Sequence, residues 1–293
     1  MRILVTGSSG LIGTQLTSDL LKLNIEVYSA FHDNVPEYGI PTHLELTDLE
    51  EVSHIIQEIK PDIIIHSAAL TNVDFCEKNP ILANLVNTKA TEIISNICNQ
   101  NKITLLYIST DYVFDGFKGN YDENILPNPL CVYGQTKLKG EQYIQKYCLN
   151  YCIVRTSTPY GVHSIKESFP MFVINKLIKH ESIQVVEDQF TSPTYVPNLS
   201  KIILELILKN FSGVFHVSGK SRISRYELAL SLAEKLHFDK NLIKPILSSK
   251  MNWKAKRPND SSLNINKIND VLTEKPLSVE EGLNSFITEL ELK

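Results

Sequence analysis

Ile3-Leu4-Val5-Thr6-Gly7-Ser8-Ser9-Gly10-Leu11-Ile12-Gly13 lies at the start of the chain and decides how the rest of it is read. A short β-rich run passes into a loop punctuated by three glycines and then, without a break, into a helical pattern over 11–23. The glycines have separate tasks in such a loop. Gly7 permits a tight turn, Gly10 lets the backbone approach a pyrophosphate, and Gly13 lets the helix pack closely on the strand. The helix N-terminus then faces phosphate charge. Glycine spacing alone is also met in ordinary turns, and it is the order strand, loop, helix that separates the two readings. Gly7, Ser9, Gly10, Leu11, Ile12 and Gly13 are therefore the expected dinucleotide-binding loop.

Outward from this loop the pattern repeats. Strand-like runs over 26–30, 63–67, 104–109 and 151–155 alternate with helical patterns near 49–59, around 80–99 and over 133–146. Alternation of this kind predicts parallel βαβ units with crossover helices on both faces, a doubly wound Rossmann fold of α/β class. After about residue 160 the rhythm weakens, although 201–208 and 213–217 read as one more helix and strand. The expected division is a nucleotide-binding domain over 1–165, to which 190–220 returns, with 166–293 mainly a smaller, interleaved C-terminal substrate-binding lobe. Neither an internal repeat nor a glycine-serine linker separates the two, so they should share one cleft.

Composition limits the remaining classes. With 43% hydrophobic residues in 293, the chain can bury a full core. Its 29 basic and 33 acidic residues leave a net charge of −4 and no basic run, which argues against a nucleic-acid partner. The N-terminus carries no leader pattern and no apolar stretch approaches a membrane span, which predicts a cytoplasmic protein with no membrane partner. Cys76, Cys98, Cys131, Cys148 and Cys152 are scattered without the paired spacing of a zinc site, so they read as buried or partly buried thiols, and no metal is expected.

Chemistry is expected at the carboxyl ends of the later strands, where open α/β sheets bind ligands. Ser109-Thr110-Asp111 ends one of them, and a hydroxyl there can hydrogen-bond a substrate carbonyl. Tyr133, at the start of the next helix, can hand over a proton as a nicotinamide delivers hydride. Lys137 lies one helical turn on, where its positive charge would favour the phenolate and lower the Tyr133 pKa. A tyrosine and lysine at this spacing also occur as a surface pair, but the preceding hydroxyls and the glycine loop are in the order a nicotinamide-dependent reductase needs.

The ribose of the cofactor should lie past the second strand, where Ser29-Ala30-Phe31-His32 offers no acid and His32 as a donor. That favours NADPH, loosely because no arginine is present, so NADH stays usable; Asp33, next along, weighs the other way. Glu45 and Leu46 either border the adenine or leave Glu45 solvated.

These stretches together resemble the extended short-chain dehydrogenase/reductase family, and within it the dTDP-4-dehydrorhamnose reductase group. The likeness runs through Pro61-Asp62 to Ala69, Val73-Asp74, Ser109-Thr110-Asp111-Tyr112-Val113-Phe114-Asp115-Gly116, Tyr133-Gly134 with Lys137, Gly140 and Glu141, and Arg155-Thr156-Ser157. It continues in Asp188-Gln189 with Pro193-Thr194 and in Arg257-Pro258 before Ser261-Ser262-Leu263. The resemblance implies Thr110, Tyr133 and Lys137 as the catalytic set, with Lys137 also orienting the cofactor ribose. It implies Ala68, Ala69 and Thr156 beside the cofactor, and Val73, Asp74, Asp111, Phe114, Ser157, Gln189 and Arg257 at the substrate, Arg257 gripping a diphosphate. Asn87 matches the family's helix asparagine and reads equally as a structural hydrogen-bonder.

The implied reaction is NADPH-dependent reduction of the C4 ketone of a nucleotide-linked 6-deoxy-4-keto sugar, dTDP-4-dehydrorhamnose giving dTDP-L-rhamnose. Two other readings stand beside it, a UDP-sugar epimerase or epimerase-reductase, and a non-catalytic NADP-binding regulatory subunit like the β subunit of methionine adenosyltransferase. The chain departs from the group in carrying Thr158-Pro159-Tyr160 where a tryptophan is usual, and His66-Ser67-Ala68-Ala69 where Asn-Ala-Ala is usual. His66 itself reads as a packed strand-end histidine rather than a base. The long helices leave a homodimer open.

Overall fold

The computed structural model describes residues 1–291. Its first half builds β1 (Arg2–Thr6), α1 (Leu11–Lys22), β2 (Glu26–Phe31), β3 (Ile40–His43), α2 (Leu49–Ile59), β4 (Ile63–His66), α3 (Val73–Lys78), α4 (Pro80–Asn84), α5 (Ala90–Asn101), β5 (Thr104–Thr110), α6 (Val132–Tyr147) and β6 (Tyr151–Thr156). Beyond Thr156 the chain leaves the sheet as β7 (Pro159–Tyr160), α7 (Phe169–Ile178), β8 (Ile183–Val186), β9 (Phe190–Thr191) and β10 (Thr194–Tyr195). It returns as α8 (Val196–Leu208) and β11 (Gly213–His216), then ends in β12 (Ile223–Ser224), α9 (Arg225–Lys235), β13 (Ile243–Ile246), α10 (Asn266–Val271) and α11 (Val279–Glu291).

Seven strands pair in the order β11-β6-β5-β4-β1-β2-β3, all parallel, as the alternation predicts. Covered on both faces, the central strands carry continuous apolar runs: Ile63, Ile64 and Ile65 of β4 are all buried. One face buries Leu16 and Leu20 of α1 with Leu199, Ile202, Ile203 and Leu206 of α8. The other buries Val52 and Ile56 of α2 with Ile94 and Ile97 of α5 and Ile144 of α6. Ile265, Ile268 and Leu272, from the stretch expected mainly in the substrate lobe, belong to the α1–α8 face. A separate apolar core around Tyr160, Val173, Leu228, Leu283 and Phe286 supports the second lobe.

Strand order reverses at β1, which lies between β2 and β4. That reversal opens a crevice at the carboxyl ends of β1 and β4, the place where doubly wound sheets take ligands.

The helix expected over 80–99 is not continuous. α4 passes into a π-helical turn, Leu85–Lys89, before α5 resumes the ordinary winding. A π turn inside a helix commonly marks a functional position, and this one carries Asn87. Its side chain accepts from Leu70 N–H at 2.7 Å and donates to Leu70 carbonyl at 3.1 Å and to Thr136 Oγ1 at 3.1 Å. The extra residue lets one amide tie the loop after β4 to α6.

Candidate active site

Backbone contact shapes the glycine loop. Gly7 has φ +67°, and a Cβ there would lie 2.8 Å from Ala68 Cα, so the turn after β1 and the turn after β4 touch as only glycine allows. A Cβ on Gly13 would lie 2.2 Å from the Gly7 carbonyl oxygen. Ser8 fastens the loop to β2 through its N–H and its hydroxyl, both donating to Ala30 carbonyl at 3.1 and 2.9 Å. Gly10 is the N-cap of α1 and offers no side chain, whereas Asp48 caps α2 by accepting from the Glu50 and Glu51 N–H groups at 3.1 and 3.0 Å. The first N–H groups of α1 thus lack a side-chain cap and point toward the crevice, which suits a phosphate.

His66 is fully buried between Thr6 Oγ1 at 2.7 Å and Thr91 Oγ1 at 3.1 Å. Burial lowers its pKa to about 3, and the neighbouring Lys137 charge pushes the same way. It is a packed strand-end histidine, and Thr6 Oγ1 also accepts from Ala68 N–H at 3.1 Å.

β5 and β6 bring Thr110 and Thr156 to the same height in register. Thr110 Oγ1 accepts from Tyr112 N–H at 3.2 Å and donates to Asp111 at 3.1 Å, and its hydroxyl lies close enough to the Tyr133 phenol to favour the phenolate. The expected catalytic threonine and tyrosine are therefore neighbours. Lys137 is on the same helix face but is turned elsewhere: its buried Nζ donates to Ile108 carbonyl at 2.7 Å and lies 3.9 Å over the Tyr107 ring.

This placement corrects one expectation. The Tyr133 phenol is not brought down; burial raises its pKa, the Thr110 hydroxyl opposes the rise, and the Asp111 carboxylate adds to it. Lys137 meanwhile falls to about 7 because burial disfavours the ammonium, with the Glu141 charge pulling back up. The lysine does not set the phenol in this arrangement because its ammonium is committed to a backbone carbonyl.

Several residues expected at the substrate are instead engaged inside the protein. Asp111 is buried and accepts from Ser157 Oγ at 2.8 Å, Ser261 Oγ at 2.5 Å and Thr110 Oγ1 at 3.1 Å, so both oxygens are taken by hydroxyls. Ser157 is itself fully buried and accepts from Ser192 N–H at 3.2 Å. Phe114 stacks on Tyr121 at 4.3 Å, under Arg155, with 1% of its surface exposed, and so has no face left for a sugar. Gln189 is buried and donates to Pro258 carbonyl at 3.4 Å.

Asp74 and Arg257 pair with each other at 3.0 Å, Asp74 also accepting from Lys254 and Ala255 N–H, while Arg257 lies 4.1 Å over the Trp253 ring. The Arg257 Nε is buried without a partner, and Val73, first residue of α3, is partly exposed beside them. These three remain together at one rim.

Near the ribose position, His32 and Glu45 are paired at 2.6 Å and Leu46 is buried in the α2 core. The expectation that no carboxylate stands there is overturned, because β3 brings Glu45 alongside the end of β2.

Below the site runs a network to which the sequence reading assigned no role. Glu141, one turn beyond Lys137 on α6, takes a hydrogen bond from the Ser109 hydroxyl and pairs with Arg155 of β6 at 2.6 Å, both charges being buried. Arg155 reaches on to His216 Nε2 at 3.3 Å. An arginine inside an apolar strand and a glutamate on the buried face of a helix were the available signal.

After Ser157 the chain passes through Thr158 at φ +41°, the left-handed region, unusual for a β-branched residue. The following Tyr160 turns into the second-lobe core against Tyr195 and Phe286 rather than toward the crevice. All five cysteines are free and buried, and among the described residues no helix is long and apolar enough to cross a membrane.

A parallel seven-stranded sheet, a side-chain-free glycine cradle at its switch point and a Thr-Tyr-Lys set at the ends of β5 and α6 define an extended short-chain dehydrogenase/reductase. Within that class, the family model described as RmlD substrate binding domain matches residues 1–292, and the chain belongs to that family. It is 31% identical over 288 residues to a probable low-salt glycan biosynthesis reductase, Agl14, of Haloferax volcanii, covering 97% of this chain and 96% of that one. It is 30% identical over 275 residues to the rat methionine adenosyltransferase 2 subunit beta, covering 91% of this chain and 81% of that one. Among solved structures, dTDP-4-dehydrorhamnose reductase from Bacillus anthracis in complex with NADP superposes with a TM-score of 0.89 at 34% identity, over 98% of this chain and 99% of that one.

Proposed function

We propose that this protein reduces the C4 ketone of a nucleotide-linked 6-deoxy-4-keto sugar with NADPH, converting dTDP-4-dehydrorhamnose to dTDP-L-rhamnose. The observation that carries the reading is that Thr110 and Tyr133 are brought together at the carboxyl end of β5, beside Thr156 at the end of β6. The likeness to the NADP-bound Bacillus anthracis reductase supports the choice of substrate and cofactor.

The residues present fit a dinucleotide. Gly7 and Gly13 leave space that a Cβ would fill, the uncapped start of α1 suits the pyrophosphate, and the Thr156 hydroxyl is buried without a partner near the expected nicotinamide position. When bound, the nicotinamide supplies a hydride to the ketone carbon. Thr110, turning its one hydroxyl proton from Asp111, hydrogen-bonds the ketone oxygen, and Tyr133 delivers the proton that turns it into the alcohol. Because its pKa is raised, Tyr133 keeps its proton until the oxygen gains charge. Lys137, released from Ile108 carbonyl, then offsets the phenolate left behind.

The test follows absorbance of the reduced nucleotide with dTDP-4-dehydro-6-deoxy-L-mannose as substrate and identifies the product by NMR. Turnover to dTDP-L-rhamnose is expected. A protein that binds NADPH yet leaves it unoxidised with this ketone overturns the reading and moves the assignment toward the regulatory relatives.

A further inference from the structure

α5 and α6 lie against each other and are tied at both ends. Near the crevice the tie is polar: Asn87 and Thr88 of the π turn donate to the hydroxyl and the carbonyl of Thr136 at 3.1 and 2.9 Å. At the far end, where both helices stop, it is made of sulfur. Cys148, the C-cap of α6, donates its Sγ–H to Ser95 carbonyl at 3.2 Å. Cys98 follows Ser95 by one turn of α5 and so shares its face. Both cysteines belong to the same apolar core, and each thiol is the largest single influence on the acidity of the other. The reductase chemistry uses neither.

The two thiols are unequal. The Cys148 sulfur, with burial adding to it, holds Cys98 far above the ordinary thiol range. The Cys98 S–H, helped by Ser95 and opposed by burial, brings Cys148 down. Cys148 is also the more accessible, 6% exposed against 1%, and the turn it opens continues into Leu149, which is 83% exposed. A small oxidant therefore meets Cys148 first, with Cys98 waiting beside it. The other three cysteines lack this arrangement, since burial raises Cys76 to about 11, Cys152 to about 12, and Cys131 in the same direction.

We propose that Cys98 and Cys148 are a dithiol that hydrogen peroxide closes into an intramolecular disulfide, fastening the end of α5 to the end of α6. The Cys148 thiolate attacks one peroxide oxygen, the O–O bond breaks, and hydroxide leaves, giving a sulfenic acid. The Cys98 sulfur then attacks the Cys148 sulfur and water departs with the Cys98 proton. Two thiols are oxidised and one peroxide is reduced to two waters. The loop closed is about 50 residues long and contains β5, Thr110, Tyr133 and Lys137, so the cross-link restricts the unfolded form of the segment that carries the chemistry. It lies at the end of α6 away from Tyr133 and leaves the crevice as it is.

The test treats the full chain with hydrogen peroxide, unfolds it in iodoacetamide, and maps unreduced peptides by mass spectrometry. Cys98 and Cys148 peptides are expected joined and two hydrogens lighter, with Cys76, Cys131 and Cys152 alkylated. The treated protein should melt about 4–8 °C higher, and dithiothreitol should restore the original melting temperature. Cys98→Ser should leave a sulfenic acid at Cys148 that dimedone captures, and Cys148→Ser should leave Cys98 unreacted. Five alkylated cysteines after peroxide, a bond between any other pair, or a Cys148 that stops at sulfinic acid overturns the proposal. A bonded protein that melts where the reduced one does removes the fastening role. No turnover is read, so either result is independent of the reductase assignment.

Discussion

Thr110 and Thr156 sit side by side in register at the ends of β5 and β6, yet their hydroxyls have opposite surroundings. That of Thr110 has two partners within the protein, whereas that of Thr156 is buried with none. An unpaired buried hydroxyl destabilises the free protein and is available to an incoming polar ligand.

Thr156→Val removes that hydroxyl at nearly constant volume. The free protein should gain about 1 kcal/mol, seen as a melting temperature about 2–3 °C higher. Affinity for reduced nucleotide should drop several-fold in the same variant. Calorimetry with and without NADPH measures both, and a variant unchanged in both would show that the hydroxyl faces no ligand.

Tyr133→Phe keeps the ring and removes only the proton donor. Turnover should fall by about 10²–10⁴, with nucleotide Kd within about twofold of wild type. Comparable turnover by the variant would require another group to protonate the ketone oxygen.

Lys137 gives a pH prediction whose sign runs against the usual lysine. Its folded pKa, about 7, lies below the 10.5 of an ordinary lysine, so between these values the unfolded chain binds more protons. Stability should therefore rise with pH across that window, by up to about 1.4 kcal/mol per pH unit from this group. Below pH 7 the cost of charging the buried amine is fully present. Lys137→Met should flatten the slope between pH 7 and 10 in denaturant titrations; an unaltered slope would assign it to other groups. His66 and His216, each lowered to about 3 by burial, act at the other end: stability should be lost as pH falls below about 6.5.

Glu141→Gln leaves Arg155 buried without its carboxylate. Breaking such a pair typically costs about 3–5 kcal/mol. Replacing both partners by apolar residues, Glu141→Leu with Arg155→Met, should recover much of that loss, and urea unfolding of the single and double variants distinguishes the two cases. A single variant as stable as wild type would mean that the network is solvated in solution.

What was legible in the sequence was local. Gly7, Gly10 and Gly13 announce their turn because the conformational demand falls on those very residues, and apolar alternation exposes the strands of a sheet covered on both faces. Tyr133 and Thr110 could be named because each ends or begins an element whose type was readable. Ser157 and Asp111 were placed at the substrate, and the structure puts them inside, because their partners come from far along the chain: Ser261 is 150 positions from Asp111, and Ser157 is 46. His32 was read from its immediate neighbours, while the carboxylate paired with it arrives just after β3. Side-chain burial at strand ends is decided by such crossings, and no spacing rule encodes them.

The π turn at Leu85–Lys89 amounts to one residue more than a regular helix would hold. Each α-helical residue turns the chain by about 100°. A single deletion within this turn would therefore close it into ordinary winding, and the residues of the turn itself, Asn87 among them, would point in new directions. Asn87 could then no longer face Leu70 and Thr136 at once, and α6, with Tyr133 at its start, would lose its tether to the loop after β4. A surplus residue is in this sense a gauge of alignment: the helix gives up its regular winding there, and the proton donor stays in line with the crevice.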